Sequence, residues 1–194
     1  MTDDAGRRSI GAKRNPASAD AIREAAEELL VEAGYAGFSI EAVARRARAG
    51  KPTIYRWWPG KAALLLDIYH RQKRVSYPDT GRIEDDIFLF LKGLFAHWRE
   101  TSAGTLIRSI IAEAQSDAKA AAALEDYDRK RRQQKGEMIA RAQQRGEIRA
   151  EIDPELAAQL IIAYARARLL ADQLDDDDES IRRVVRHLLG GWLT

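Results

Sequence analysis

The sequence predicts an all-α fold, and three observations lead to that prediction. Apolar residues recur every three or four positions along most of the 194 residues, which is the spacing of one helical face. Apolar residues make up 45% of the chain and charged residues 32%, as is usual in soluble helical proteins. Glycine stands where the apolar pattern stops, as at Gly34, Gly60 and Gly146.

The chain begins with a segment that has no helical pattern. Residues 1–16 are polar and include four basic side chains, so they predict a mobile basic arm. The first helix is predicted over residues 17–33, and Gly34 follows it as a left-handed cap. The predicted buried stripe of this helix consists of Ile22, Ala26, Leu29 and Ala33.

The stretch 39–61 predicts two short helices joined by a tight turn. Ser39 suits the N-cap of the first helix, over residues 39–47, because its hydroxyl can accept a hydrogen bond from a free backbone N–H. In the second helix, over residues 51–58, Ile54 and Trp58 lie on one side, and Pro52 is tolerated in the first turn. Such a pair forms a helix-turn-helix, whose second helix can enter the major groove of DNA.

The charge pattern of this stretch favours DNA binding. Six basic residues and no acidic ones occur from Val43 to Lys61, although the whole chain carries a net charge of only +2. Cations can pair with phosphates, and arginine or lysine can also read guanine edges. Lys61 lies at the positive end of the next helix, a conflict that a bound phosphate would resolve. The predicted DNA-binding residues are Ser39, Arg48, Lys51, Pro52, Thr53, Tyr55, Arg56, Trp57 and Lys61. The alternative is an amphipathic hairpin with a solvated basic face.

Three sequence runs occur in order within residues 17–66: EAGYAGFSIEAVARRA, KPTIYRWW and PGKAALL. Together they resemble the DNA-binding domain of the TetR family of transcriptional regulators. The chain departs from the family in the turn, where Arg48 replaces the usual glycine and Ala49 a larger aliphatic residue. The resemblance implies a homodimeric repressor on a palindromic operator in double-stranded DNA. It also implies that an unknown small-molecule effector binds among the C-terminal helices and releases the operator.

The rest of the chain predicts a linking helix and five further helices. The linking helix, over residues 61–74, connects a DNA-binding domain over residues 17–60 with a domain for ligand binding and dimerisation over residues 61–194. The five helices are predicted over residues 82–100, 106–114, 118–145, 154–174 and 180–193. The 118–145 helix is long and polar, and Gly136 is expected to mark a bend in it.

The last two predicted helices have broad apolar stripes with small residues, which permit another helix to approach closely. They predict a dimer interface that consists of Leu160, Tyr164, Ala167, Ile181, Val184, Val185, Leu188 and Trp192. The alternative is that these helices only cover the core of their own domain. A two-fold dimer would need a roughly palindromic site on DNA.

The aromatic-rich helix over residues 82–100 and the segments that follow it offer candidates for a ligand pocket. The predicted lining residues are Phe88, Phe95, Trp98, Ile107, Arg108, Ile111 and Tyr127. Ordinary core packing is the alternative for each of them, and Arg108 could equally lie on the surface. The sequence does not identify the ligand.

Other classes of function find little support in the sequence. The three histidines are isolated from one another, and no nucleophile elbow or phosphate-binding loop is present, so no enzyme activity, cofactor or metal is predicted. The chain has no cysteine and no apolar run near the ~20 residues of a membrane span, so a cytoplasmic location is expected. Two alternatives remain. One is a helical ligand-binding or catalytic bundle, and the other is a protein that packages DNA without sequence preference.

Overall fold

The computed structural model of the chain describes residues 16–72 and 76–194. Within these ranges the chain forms ten helices, which confirms the all-α fold class. They are α1 (Pro16–Gly37), α2 (Ile40–Arg46), α3 (Lys51–Trp57), α4 (Lys61–Gln72), α5 (Ile83–Glu100), α6 (Ala103–Ala114), α7 (Ala118–Lys130), α8 (Arg132–Gln144), α9 (Pro154–Leu170) and α10 (Asp178–Leu189). Apart from Pro16, which begins α1, the predicted basic arm lies outside the described residues. None of the helices in these two ranges is long and apolar enough to cross a membrane.

The chain divides into two compact units, and the division falls inside α4, between Leu64 and Leu65. The first unit contains α1, α2, α3 and the start of α4, and the second contains the remaining helices. The boundary predicted after residue 60 lies at the start of α4. This helix is continuous from Lys61 to Gln72 and therefore belongs to both units.

The first unit is built around the apolar face of α1. Ile22, Ala26 and Leu29 are buried as predicted, but Ala33 is exposed. The prediction was wrong there because the chain leaves the helix at Gly34, whose φ is 63° and ψ −174°, and the next buried residue is Phe38. The predicted left-handed cap at Gly34 is confirmed only in its positive φ. Its ψ lies far from the left-handed helical value of about +47°, so Gly34 interrupts α1 with a kink.

The second unit has α5 at its core. Nine residues of α5 are buried, including the charged Asp86 near its start. The carboxylate of Asp86 accepts hydrogen bonds from the backbone N–H and the hydroxyl of Thr80, at 2.7 and 2.8 Å. Glu147 caps the same end of the helix by accepting from the Ile83 N–H at 2.7 Å. The buried carboxylate of Asp86 and the half-buried carboxylate of Glu147 therefore fix the path of the chain into α5.

The helix predicted over residues 118–145 is two helices, α7 and α8, so six helices follow residue 82 instead of five. The break lies at Arg131, where φ is −112° and ψ is 4°. The guanidinium of Arg131 stacks 4.0 Å from the Tyr127 ring and donates a hydrogen bond to Nδ1 of His70 at 3.0 Å. Gly136 does not mark a bend. It lies inside α8, where a Cβ atom would come within 3.3 Å of the Pro154 backbone.

The last two helices end earlier than predicted. Asp172 has a left-handed backbone with φ 56°, and α9 ends at Leu170. The helix α10 ends at Leu189, before two consecutive glycines. Beyond them the chain pairs with a turn of the same unit, since the Arg149 N–H donates to the Trp192 carbonyl at 2.9 Å. The three-and-four spacing of apolar residues continues past Leu170 and past Leu189, so the spacing alone does not show where α9 and α10 end.

Candidate DNA interface

The joint between α2 and α3 is a tight turn whose backbone hydrogen bonds are all local. Ser39 caps α2, because its hydroxyl accepts from the Ala42 N–H at 3.2 Å, as predicted. At the other end of α2, the Ala49 N–H donates to the Ala44 carbonyl at 3.0 Å and the Arg48 N–H to the Arg45 carbonyl at 3.4 Å. These two bonds form a Schellman motif, in which Arg48 takes the left-handed position with φ 50°.

The helix α3 is held against the first unit by its inner face. Ile54 and Trp58 are buried, as predicted, together with Val43 of α2. Trp58 packs edge-on against Trp57, with 5.8 Å between ring centroids, and the Arg23 guanidinium lies 5.3 Å from the Trp58 ring. The position of α3 is therefore set by side chains that point away from its outer face.

The outer face of α3 presents the predicted DNA-binding side chains to solvent. Tyr55 is 45% exposed, an unusual exposure for so large an aromatic residue. Most of the others are also exposed: Arg48, Lys51, Pro52 and Arg56 are, whereas Ser39, Thr53, Trp57 and Lys61 are partly buried. The structure thus brings all but Ser39 and Lys61 onto α3 or the turn before it, and those two lie at the starts of α2 and α4.

The fold brings acidic side chains to part of this basic stretch, which the sequence pattern did not indicate. Glu41 lies 3.4 Å from the ammonium of Lys51, and both side chains are exposed. Arg46 pairs with Glu32 of α1 at 2.7 Å. Within the described ranges, Arg48 and Arg56 pair with no carboxylate, so their charge faces solvent. The ion pair between Lys51 and Glu41 is weak because both side chains are exposed and water screens their charges. A phosphate can therefore replace Glu41 as the partner of Lys51.

Lys61 has a partner inside the first unit. Its ammonium donates to the backbone carbonyl of Tyr35 at 2.7 Å and lies 3.7 Å from the centroid of the Tyr35 ring. The conflict between this lysine and the positive end of α4 is therefore relieved within the chain, without a phosphate. The phosphate contact of Lys61 stays a prediction.

The residues predicted to line a ligand pocket are mostly part of the core of the second unit. Phe88, Phe95, Trp98, Ile107 and Tyr127 are all buried. The indole of Trp98 donates to the Tyr69 hydroxyl at 2.9 Å, which satisfies its polar atom inside this core. Arg108 and Ile111 are half-buried, and Arg108 pairs with Asp172 at 3.1 Å.

A cavity of about 250 Å³ lies elsewhere in the second unit. None of the predicted pocket residues lines it. Its walls come from α7, α8 and α9 and consist of Asp128, Arg132, Lys135, Glu155, Gln159, Ile162, Ala163 and Arg166. Sequence reasoning missed it because α7 and α8 look like solvated charged helices, and only the fold shows that their charges meet.

The residues predicted for a dimer interface fall into two groups. Ile181 and Val185 are buried within their own unit, so the prediction was wrong for them: they pack inward and are not available to a partner. The other six are at least partly exposed: Leu160, Tyr164, Ala167, Val184, Leu188 and Trp192. The exposed apolar face of α9 also includes Leu156 and Leu170, which sequence reasoning did not select.

Comparison with known proteins places these features in one family. Residues 22–68 match the model of the bacterial regulatory proteins of the tetR family, and residues 77–188 match the model of the tetracyclin repressor-like C-terminal domain. The chain belongs to the TetR family. It is therefore a helix-turn-helix transcriptional regulator that binds DNA, from a family of regulators and not of enzymes.

Several relatives of this TetR-family chain are similar over most of their length. The uncharacterized HTH-type regulator YdeS of Bacillus subtilis is 32% identical over 187 residues, which cover 93% of this chain and 92% of YdeS. The DNA-binding transcriptional repressor TetR of Mycobacteroides abscessus is 30% identical over 165 residues, with 80% and 84% covered. The solved structure of the TetR-family regulator SCO0332 is 31% identical, with a TM-score of 0.76, and the match covers 90% of this chain and 97% of that one.

Proposed function

We propose that the protein is a homodimeric cytoplasmic repressor that a small-molecule ligand releases from a palindromic operator. The observation that carries the proposal is the outer face of α3. Its cations and Tyr55 face solvent, while Ile54 and Trp58 fix the helix from behind. A helix held in this way can enter a major groove without rearrangement of its own unit.

The exposed side chains divide into two roles under this proposal. Lys51 and Arg56, on α3, read base edges, because lysine and arginine are the usual partners of guanine. Tyr55 and Lys61 contact the phosphate backbone and position the helix. The flanking contacts of the outer face come from Ser39, Arg48, Pro52, Thr53 and Trp57. The basic arm over residues 1–16 adds electrostatic attraction.

The exposed leucines of α9 support the homodimer. Leu156, Leu160 and Leu170 are 54%, 47% and 50% exposed. Full burial of a leucine contributes about 1.5–3 kcal/mol, so burial of the exposed half of each contributes roughly 1 kcal/mol. Contiguous exposed apolar residues of this kind usually mark an interaction surface. A two-fold dimer carries two copies of α3 related by its axis, which matches the symmetry of a palindromic site.

The direction of regulation and its ligand dependence have separate support. The relative from Mycobacteroides abscessus is named a repressor, which favours repression here. Release requires a ligand that binds the DNA-free conformation more tightly than the DNA-bound one, because only that difference in affinity shifts the equilibrium.

Native mass spectrometry of the purified protein with a duplex operator tests the assembly. The proposal predicts a dimer at micromolar concentration and two chains on each operator. A monomer in solution and one chain on each duplex would contradict the homodimer, while specific DNA binding by that monomer would leave the assigned reading helix intact.

A further inference from the structure

The cavity between α7, α8 and α9 has an excess of positive charge. Arg132, Lys135 and Arg166 line it against two carboxylates, Asp128 and Glu155. The Arg132 and Glu155 side chains are 4.0 Å apart and about half exposed, so they form only a loose pair. The positive charge therefore centres on the inner part of the cavity, where Lys135 and Arg166 converge.

One carboxylate serves both inner cations. Asp128 accepts two hydrogen bonds from Arg166 and one from Lys135, each at 2.8 Å. The Lys135 side chain is only 10% exposed. Burial lowers the pKa of Lys135, Arg166 and Arg131 lower it further, and Asp128 opposes the change without cancelling it. The ammonium has thus lost most of its water without gaining a carboxylate of its own, so a second anion would stabilise it.

The start of α8 adds to this positive potential. The helix begins at Arg132, has no acidic residue in its first turn, and its N-cap Arg131 makes no capping side-chain hydrogen bond. Free backbone N–H groups at a helix start attract anions. Arg132 and Lys135 both belong to the first turns of this helix and also line the cavity, so the two effects act at one place.

We propose that this cavity is the effector site and that the effector is a small organic anion, a carboxylate with a compact apolar body. The inference rests on the proposed function, because it names the chemical class of the ligand that releases the operator. The carboxylate binds Arg132 and Lys135, and the apolar body faces Ile162 and Ala163. The volume of about 250 Å³ lies below the ~300–1,000 Å³ of pockets for drug-sized ligands, which limits the body to about one aromatic ring.

The site lies next to a contact that reaches α4. An anion on Lys135 competes with Asp128, which follows Tyr127 near the end of α7. The Tyr127 ring carries the stacked guanidinium of Arg131, and Arg131 donates to His70 in the last turn of α4. An anion that shares Lys135 weakens the contact of Lys135 with Asp128 and would therefore change how Tyr127 and Arg131 support the last turn of α4.

Isothermal titration calorimetry of the full-length protein tests the chemical class. The probes are benzoate, benzylamine, benzyl alcohol and inorganic phosphate, at constant ionic strength. Benzoate is expected to bind once per chain and the other three far more weakly. Lys135→Met and Arg132→Met should each weaken benzoate binding about tenfold, because each removes a charge-assisted hydrogen bond. Lys119→Met, at an exposed position of α7, is the matched control and should bind like the wild type.

The outcomes separate this inference from the proposed function. Equal binding of benzylamine, or unchanged binding by both variants, would overturn the anion site. Equal binding of phosphate and benzoate would overturn the organic class. Benzoate that binds without lowering the affinity of the wild type for its operator would overturn the effector role. Failure of the unliganded protein to bind a specific operator would contradict the proposed function itself, whatever the calorimetry gives.

Discussion

Arg48 tests how the turn before α3 is held. It takes the left-handed position of the Schellman motif with φ 50°, a conformation that costs a residue with a side chain about 1–2 kcal/mol. Glycine avoids this cost but loses about 0.5–1 kcal/mol more backbone entropy on folding. Arg48→Gly should therefore stabilise the turn by about 0.5–1 kcal/mol. Arg48→Ala keeps the Cβ atom and the strain, so it should leave the stability of the turn unchanged.

Native-state hydrogen exchange of the Ala49 amide measures this effect locally, because that N–H closes the turn by bonding to Ala44 at 3.0 Å. Arg48→Gly should slow this exchange by about two- to fivefold relative to Arg48→Ala. Equal or faster exchange in the glycine variant would refute the strain argument. Both variants lack the cation, so both should bind DNA more weakly if Arg48 contacts phosphate. Binding by the alanine variant that equals that of the wild type would show that Arg48 makes no such contact.

The other predictions concern the core, the interface and the assembly. Ile54→Ala should lower the free energy of unfolding by about 2–5 kcal/mol and abolish DNA binding, because the first unit unfolds and its amide signals lose their dispersion in NMR spectra. Val31→Ala, at an 82% exposed position, should change neither the stability nor DNA binding. Lys51→Ala should relax base preference at particular operator positions, and Tyr55→Phe should weaken binding to all sequences alike. Titration of each variant with half-sites changed one base pair at a time measures this. The same pattern of affinity changes in both variants would refute the division of roles. Leu160→Glu should yield folded monomers in light scattering, and an intact dimer would exclude α9 from the interface.

The parts of the fold that the sequence predicted well depend on local signals. The N-cap at Ser39, the i, i+4 pair Ile54 and Trp58, and the stop at Gly60 each act within a few residues, so the helix-turn-helix could be placed from sequence. The break at Arg131 could not. It depends on a contact with His70, sixty-one positions earlier in the chain, and nothing local marks it.

The candidate sites show the same limit. The partners of Lys51 and Lys61 come from other helices or turns, so sequence reasoning saw two free cations where the fold has a carboxylate and a carbonyl. The charged cavity was missed for the same reason, because Asp128 and Arg166 meet only across two helices. Aromatic residues were selected for the pocket since they often line ligand sites, yet in this chain they fill the core.

Selection of bound sequences from random duplex DNA, at physiological salt and without added ligand, tests the central claim most directly. The account predicts a recurring palindrome with half-sites spaced by a whole number of helical turns, read by α3 from each of two chains. Recovery of random sequence, bound with an affinity that falls steeply with salt, would contradict a sequence-specific regulator and would indicate a protein that packages DNA.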